Sequence, residues 1–153
     1  RDQEEQERLT RIQVYEDRGE GYREECSRFL DRVYEDGGQI ELELQFPGNV
    51  RRMRIDPAMD CGICRILELR FNGEKVPPNV PKVLAVNGKR IRPRGEQGDN
   101  YLTVVYPTPD PNIDIDISRL QPGEVNILYI RMEYRLLPLS MAEDLAGAVR
   151  KWV

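Results

Sequence analysis

Apolar and polar residues alternate along most of this chain with the period of a β-strand. The clearest run lies before Pro47-Gly48-Asn49, a turn-forming segment. Polar side chains occupy one face of this run, and its other face is apolar, with Ile40, Leu42, Leu44 and Phe46. Such alternation is typical of a strand with one face in a core and the other in solvent. The run therefore predicts a half-buried strand.

Further runs of the same kind recur at intervals of roughly ten residues, which is the spacing of an all-β domain. The predicted strands are 12–15, 40–46, 50–55, 64–71, 83–86, 89–92, 101–106, 113–117 and 125–137. In the run 64–71, Leu67, Leu69 and Phe71 are predicted to share one face. Segment 24–33 fits helical spacing as well as an irregular strand, so it is predicted only to be ordered.

Two strand runs carry finer predictions. Asn87-Gly88 separates the runs 83–86 and 89–92, and this dipeptide is a signal for a two-residue β-hairpin. The run 125–137 has apolar residues on both faces near its start, with Val125, Ile127 and Tyr129 on the second face. Coverage on both sides is therefore predicted at that end.

These elements predict an all-β fold, an antiparallel β-sandwich or jelly roll over residues 10–138. Residues 1–9 are polar throughout and predict a short helix or a linker. Residues 139–153 predict a C-terminal helix that leads into a next domain, because Ser140-Met141-Ala142-Glu143 matches a capping box.

The predicted C-terminal helix carries a narrow apolar stripe of Met141, Leu145 and Val149 at a spacing of four residues. The stripe packs either on this domain or on a neighbouring domain. Trp152, the only tryptophan, is expected at such a domain boundary. Because the sequence begins at Arg1 and not at Met, the chain is expected to be a module excised from a larger protein.

Composition excludes several classes of function. The 153 residues fit one domain and contain no histidine, the commonest general base and zinc ligand. The net charge is −4, and the arginines near Arg54 are interrupted by Asp56 and Asp60, so no nucleic-acid partner is expected. No run approaches the ~20 apolar residues of a membrane span, and no signal core is present, so a cytoplasmic location is expected.

The three cysteines indicate a reducing compartment, because the count is odd and no secretory signal precedes them. Cys61-Gly62-Ile63-Cys64 has the C-x-x-C spacing but opens a strand, whereas a redox motif begins a helix. The favoured interpretation is small, semi-buried thiols at a turn-to-strand junction; a redox role and a metal site are the alternatives. No cofactor and no metal are expected.

Acidic residues are the remaining candidates for chemistry. The loop 16–21 is acidic and contains glycine, and Asp110, Asp114 and Asp116 form a second acidic group. Either group could supply oxygen ligands for calcium, but a solvated strand face is the favoured interpretation of the second group. No carboxylate pair stands out as a hydrolytic site, so no catalytic residue is assigned and the chain is not expected to be an enzyme.

Two segments of the chain are similar to a known family. Residues 15–27, from Tyr15 to Ser27, and the segment Arg54-Ile55-Asp56-Pro57 resemble two hallmarks of an accessory β-sandwich in bacterial multidomain glycosyltransferases. Some of those enzymes are associated with rhamnan-type polysaccharide synthesis. The similarity covers roughly residues 12–137. Cys61 and Cys64 are not part of the family pattern, and Tyr22 stands where phenylalanine is commoner.

The resemblance implies a non-catalytic, galactose-binding-like sandwich beside a transferase domain. Its partners would be an oligosaccharide or polysaccharide acceptor and the neighbouring domains of the parent protein. Sugar contacts are expected around Tyr15, Glu16, Tyr22 and Glu24, because an aromatic ring and nearby polar groups suit a pyranose. Buried tyrosines are the structural alternative. The alternative function is a protein-interaction or oligomerisation scaffold module that binds no sugar.

Overall fold

The computed structural model describes residues 2–35, 37–94 and 98–152, with the side chains of 149–152 outside the described part. Within these ranges two α-helices and eleven strands follow one another, with two short 3₁₀ turns at Glu24–Cys26 and Ile117–Arg119. In chain order they are α1 (Gln3–Leu9), β1 (Gln13–Asp17), β2 (Ser27–Phe29), β3 (Gln39–Pro47), β4 (Arg52–Asp56), β5 (Gly62–Phe71), β6 (Glu74–Lys75), β7 (Leu84–Val86), β8 (Lys89–Ile91), β9 (Leu102–Tyr106), β10 (Ile113–Asp116), β11 (Val125–Leu136) and α2 (Leu139–Trp152).

The strands form two antiparallel sheets. The five-stranded sheet has the order β2-β1-β4-β10-β7, and the six-stranded sheet has the order β3-β11-β5-β9-β8, with β6 paired to β5. One apolar cluster joins their inner faces, and its fully buried members include Met53, Ile55, Ile113, Ile66, Leu69, Leu102 and Ile130. The prediction of an antiparallel all-β fold is confirmed, and the sheets stack as a sandwich.

The polar N-terminal segment is a helix. Asp2 accepts a hydrogen bond from the backbone N–H of Glu5 at 2.8 Å, which caps the first turn of α1. No residue of α1 itself is buried. Of the two predicted alternatives for this segment, a helix or a linker, the structure shows the helix over Gln3–Leu9.

The predicted face of Leu67 is wrong because β5 contains a bulge. The register between β5 and β11 passes from Glu68 opposite Arg131 to Ile66 opposite Met132, which leaves Leu67 without a partner position. An extra residue in one strand resets the alternation of side chains beyond it. Ile66 is therefore fully buried, and Leu67 is only partly buried.

The predicted hairpin at Asn87-Gly88 is wrong because the flanking strands lie in different sheets. β7 pairs with β10, and β8 pairs with β9. Asn87 holds this crossover: its side chain donates to the carbonyl of Asp110 and accepts from the N–H of Asn112, both at 2.8 Å. A Cβ on Gly88 would lie 2.6 Å from the carbonyl oxygen of Val105, so the glycine permits close approach of the crossover to β9.

The predicted two-sided coverage of β11 is also wrong at its start. Val125 is 60% exposed and Ile127 is 39% exposed. The α2 helix packs instead over β5, β8 and β9, away from that end of the strand. Only the inner face of β11 is consistently buried, at Asn126, Leu128, Ile130, Met132 and Tyr134.

The C-terminal helix differs from its prediction in two ways. It begins at Leu139, and the N–H of Ala142 donates to the carbonyl of Pro138, so Ser140 lies in the first turn and not at the cap. Met141 and Leu145 remain exposed, and the helix packs through Ala142 and Ala146. Small side chains let the helix approach the sheet closely. The predictions for the Val149 and Trp152 side chains lie outside the described residues.

Two of the cysteines are buried beside this helix and in the main core. Cys61 packs with Ala142 and Ala146, and Cys64 is fully buried between the sheets. Burial raises the pKa of the Cys64 thiol to about 12 and raises the pKa of the Cys61 thiol as well. Both thiols therefore stay protonated at neutral pH. They lie at the junction between a turn and β5, as predicted, but they are buried and not semi-buried.

Candidate functional site

The two segments that carry the family resemblance meet on the outer face of the five-stranded sheet. β1 and β4 are neighbours, and Tyr15 lies directly opposite Arg54 in their register. Opposite residues of an antiparallel pair point to the same face of a sheet. Val14 and Ile55, one position away in each strand, point into the core. Alternation therefore places Tyr15 and Arg54 side by side on the outer face.

Arg54 is the centre of this face. Its Nε and Nη2 atoms donate to the two carboxylate oxygens of Asp56 at 2.9 and 3.0 Å. Its guanidinium carbon lies 4.2 Å from the ring centroid of Tyr15 and 5.7 Å from that of Tyr22. Such a geometry combines a bidentate ion pair with cation–π contacts. The Arg54 side chain is therefore held in one orientation from several sides.

Burial raises the pKa of the Asp56 carboxyl, and the hydrogen bonds and charge of Arg54 oppose that effect. Asp56 is 7% exposed. A carboxylate that is so little exposed to solvent stays ionised at a low free-energy cost only beside a cationic partner. Removal of either side chain would therefore leave the charge of the other without its partner.

The loop between β1 and β2 folds back over this face and is anchored by two tyrosine hydroxyls. The Tyr15 hydroxyl donates to Glu24 at 2.8 Å, and the Tyr22 hydroxyl donates to Asp114 of β10 at 2.9 Å. Asp114 also accepts two hydrogen bonds from Arg52 of β4, at 3.0 and 2.8 Å. These hydrogen bonds hold the loop in one position against the sheet.

The turn that starts the loop follows from its glycines. The Asp17 carboxylate accepts hydrogen bonds from the N–H groups of Gly19 and Gly21, at 2.8 and 2.9 Å. Gly19 has φ 110° and Gly21 has φ 81°, a region that side chains with a Cβ rarely adopt. The acidic, glycine-containing sequence that suggested calcium ligands thus uses the Asp17 oxygen to shape the backbone.

A depression of about 350 Å³ lies beside Arg54 on the outer face. Three carboxylates and two guanidinium groups line it, so its formal charge is −1, and Met59 adds an apolar wall that is 47% exposed. The full lining is Arg11, Gln13, Tyr15, Glu24, Arg54, Asp56, Ala58, Met59, Pro109 and Asp110. Such a surface offers fixed hydrogen-bond acceptors and donors beside a small apolar patch.

The four residues predicted to contact sugar have different positions. Tyr15 and Glu24 line the depression. Tyr22 packs edge-on against Tyr15, with ring centroids 6.3 Å apart, and lies outside the lining. Glu16 is on the opposite side of β1, 5% exposed, and pairs with Arg18 at 2.9 Å and Arg28 at 3.8 Å.

The two tyrosines do not form an open aromatic platform. Tyr15 is 7% exposed, and the guanidinium of Arg54 lies over its ring. The rings of Tyr15 and Tyr22 meet at an interplanar angle of 69° and therefore do not lie in one plane. Recognition at this surface therefore depends on polar groups more than on ring stacking.

Sequence reasoning missed several lining residues. Arg54 and Asp56 were recognised as parts of a motif but not as site residues, although both alternate with the buried Ile55 and therefore point outward. Arg11, Asp110 and Met59 come from loops whose positions no local pattern predicts. Among the described residues, no group of three or more acidic or cysteine side chains is placed to hold a metal ion.

The tyrosines of this face predict a loss of stability at alkaline pH. Burial, followed by the hydrogen bond to Glu24, raises the pKa of Tyr15 to about 12, and burial with Asp114 raises the pKa of Tyr22. In the unfolded chain both hydroxyls ionise near the ordinary pKa of about 10. The folded state binds these protons more tightly, so its stability is fully present below about pH 10 and declines towards pH 12.

Urea unfolding at a series of pH values tests this expectation. The free energy of unfolding should be nearly constant from pH 7 to 9 and fall steadily above about pH 10. Tyr15→Phe should make that decline shallower, because one of the proton-binding groups is lost. An unfolding free energy that stays constant to pH 11.5 would contradict the assignment.

Comparison with known proteins identifies no family for this chain. No protein-family model matches the sequence, no curated protein matches it, and no solved structure matches the fold. None of the helices in the described ranges is long and apolar enough to cross a membrane. Evidence on function therefore comes from the outer face of the five-stranded sheet and from the two segments that meet there.

Proposed function

We propose that this chain is a non-catalytic accessory domain of a larger bacterial glycosyltransferase and contacts an acceptor glycan. The observation that carries the proposal is the convergence of the two family-like segments, through Tyr15, Glu24, Arg54 and Asp56, in one depression. The finer fold in this proposal is a galactose-binding-like jelly roll, supported by strands that pass repeatedly between the two sheets. The proposed location is the cytoplasm.

The polar groups of the depression suit the hydroxyl groups of an oligosaccharide or polysaccharide. Glu24, Asp56 and Asp110 offer carboxylate acceptors, and Arg11 and Arg54 offer guanidinium donors. Arg54 is already ordered by Asp56 and Tyr15, so its side chain loses little further conformational entropy when a ligand binds. Met59 offers an apolar wall for the hydrogen-bearing face of a sugar ring.

Glycan binding is the direct test of the proposal. We expect a panel of neutral bacterial oligosaccharides, including rhamnose oligomers, to contain at least one ligand measurable by calorimetry. Asp110→Asn and Glu24→Gln should each weaken its binding about fivefold to tenfold, since each removes a charged acceptor.

Glu16→Gln is the matched control, because it changes a carboxylate of the same strand that faces the other side. This variant should bind as the unchanged protein does, after thermal unfolding has shown that it is folded. No binding at millimolar glycan, or equal losses in all three variants, would contradict a glycan site in the depression.

A second candidate function is a protein-interaction module that binds no sugar. The observation that favours it is the exposed apolar side of α2, where Leu139 and Met141 are each 50% exposed and Leu145 is 38% exposed. In this form the domain packs on the transferase domain or on a second copy. Light scattering of the domain, alone and mixed with the neighbouring domains, tests this interaction function. A domain that stays monomeric and does not bind those domains would exclude it.

A further inference from the structure

β3 is the long edge strand of the sandwich. It lies at the end of the six-stranded sheet, and β11 is its one strand partner among the described residues. β3 spans nine residues, whereas the other edge strands, β2, β7 and β8, span three each. An edge strand presents unpaired backbone groups to any extended chain that can reach it.

The register shows which backbone groups of β3 are unpaired. The carbonyl of Gly38 accepts from the N–H of Tyr134 at 3.0 Å, and the N–H of Gly48 donates to the carbonyl of Glu124 at 2.8 Å. In an antiparallel ladder every second residue bonds to the same neighbour. Even-numbered residues of β3 therefore bond to β11, and odd-numbered residues direct N–H and C=O outward.

Contacts at the start of β3 agree with this assignment. The carbonyl of Gln39 accepts from the N–H of Glu35 at 2.7 Å, and the carbonyl of Glu41 accepts from Arg32 at 2.8 Å. Both carbonyls belong to odd-numbered residues. Beyond them, Glu43 and Gln45 have exposed side chains and no backbone partner on that side within the described residues.

The free stretch has few of the features that protect sheet edges. Its register with β11 runs without a shift from Gln39 to Pro47, so no bulge bends the edge away. Proline, which cannot donate to a ladder, occurs only at the last position, Pro47. The protection that remains is charge, because Glu41 and Glu43 project from the outer face beside the edge.

Charge also decides which occupant fits. A second copy paired antiparallel about Leu42 would place Glu41 opposite Glu43, and pairing about Glu43 would place Glu43 opposite itself, which disfavours both registers. Pairing about Leu44 would place Glu43 opposite Gln45, which brings no charge attraction. Lysine or arginine in the same position would form a favourable cross-strand pair. Charge at the edge therefore favours a basic strand over a second copy, which offers no cation to Glu43 in any of these registers.

We propose that the edge of β3 at Glu41–Gln45 binds an extended segment of a partner protein by strand addition, with lysine or arginine at alternate positions. The backbone groups of Glu43 and Gln45 supply hydrogen bonds, and the carboxylates of Glu41 and Glu43 select basic side chains. This surface is separate from the depression beside Arg54, which lies on the other sheet.

A peptide of about ten residues that alternates threonine and lysine is the probe, a length that spans the free edge. We expect it to bind at low salt and to slow amide hydrogen exchange at Glu43 and Gln45. A peptide that alternates threonine and glutamate should bind about tenfold more weakly or worse, because charge attraction becomes repulsion.

Methylation of peptide nitrogens separates strand addition from simple charge attraction. When the peptide adds antiparallel, as every described strand pair of this sandwich does, lysines that lie opposite Glu43 direct their own N–H groups towards β3. N-methyl groups on the lysines should therefore weaken binding about tenfold, whereas N-methyl groups on the threonines should leave it unchanged. Equal binding of the two methylated peptides would overturn the proposal.

Variants of the protein complete the test. Glu43→Pro removes an N–H that makes no ladder bond, so the fold should persist while peptide binding is lost. Glu74→Gln, at an exposed glutamate on β6, controls for net charge and should bind normally. Absence of binding at millimolar peptide, protection of amides elsewhere, or a homodimer that Glu43→Pro disrupts would each overturn the proposal.

Discussion

Arg54→Ala is expected to lower the free energy of unfolding by about 3 kcal/mol, because it leaves a nearly buried carboxylate without its cation. Asp56 would lose both hydrogen bonds that Arg54 donates to it. The rings of Tyr15 and Tyr22 would lose the guanidinium that lies over them. Urea unfolding at pH 7 measures the loss.

Companion variants identify the cause of that loss. Arg54→Lys keeps the charge but not the planar two-donor contact, so it should cost less than Arg54→Ala. The double variant of Arg54→Ala with Asp56→Asn should be more stable than Arg54→Ala alone, because no unpaired charge remains. The deficit of Arg54→Ala should also shrink as the pH falls and Asp56 becomes protonated.

An Arg54→Ala protein within about 0.5 kcal/mol of the unchanged protein would show that the ion pair contributes little to folding. The network on the outer face would then be a solvated arrangement of charges, and the fixed orientation of Arg54 would no longer support a preorganised binding surface. The same set of variants therefore tests the rigidity on which the proposed glycan site depends.

Gly62→Ala is the second substitution with a large expected effect, about 3 kcal/mol or more, because overpacking here involves backbone. A Cβ at position 62 would collide with the carbonyl oxygen of Arg135 and lie 2.5 Å from the Tyr134 ring. β5 and β11 pair at this point, with Leu136 opposite Gly62. Relief of the collision would require the two strands to separate.

Gly147→Ala is the matched control for this substitution. Gly147 lies inside α2, and a Cβ there meets nothing within 4 Å. The same change of residue should stabilise the protein by up to about 1 kcal/mol, because alanine favours a helix over glycine. Thermal and urea unfolding of both variants provide the comparison. Equal effects at the two positions would contradict the close packing of β5 on β11.

Alternation alone predicted much of the framework. The strand from Gln39 to Pro47 has the expected alternation of exposed and buried residues at every position, because its pairing with β11 runs without interruption. The same rule separates Glu16 from Tyr15, since neighbours in a strand face opposite sides. Applied to the first strand, it would have removed Glu16 from the predicted sugar contacts.

Local patterns failed where a residue's role depends on a distant segment. The alternation of its neighbours places Leu67 on the same face as Leu69 and Phe71. The pairing of β5 with β11 instead contains a bulge at Leu67, which resets the alternation. Asn87-Gly88 has the sequence of a hairpin, yet the strands on either side pair with β10 and β9 in different sheets. The α2 helix packs through alanines because a close fit against β9 favours small side chains over larger apolar ones.

Composition and the two-residue period are enough to locate the strand-forming segments, to show that the 153 residues contain no histidine, and to direct Tyr15, Arg54 and Asp56 outward. The folded arrangement of the strands and loops brings Glu24 and Asp110 to those three residues around one depression and leaves β3 as an open edge. Both depend on contacts between segments far apart in the chain, which no local spacing encodes.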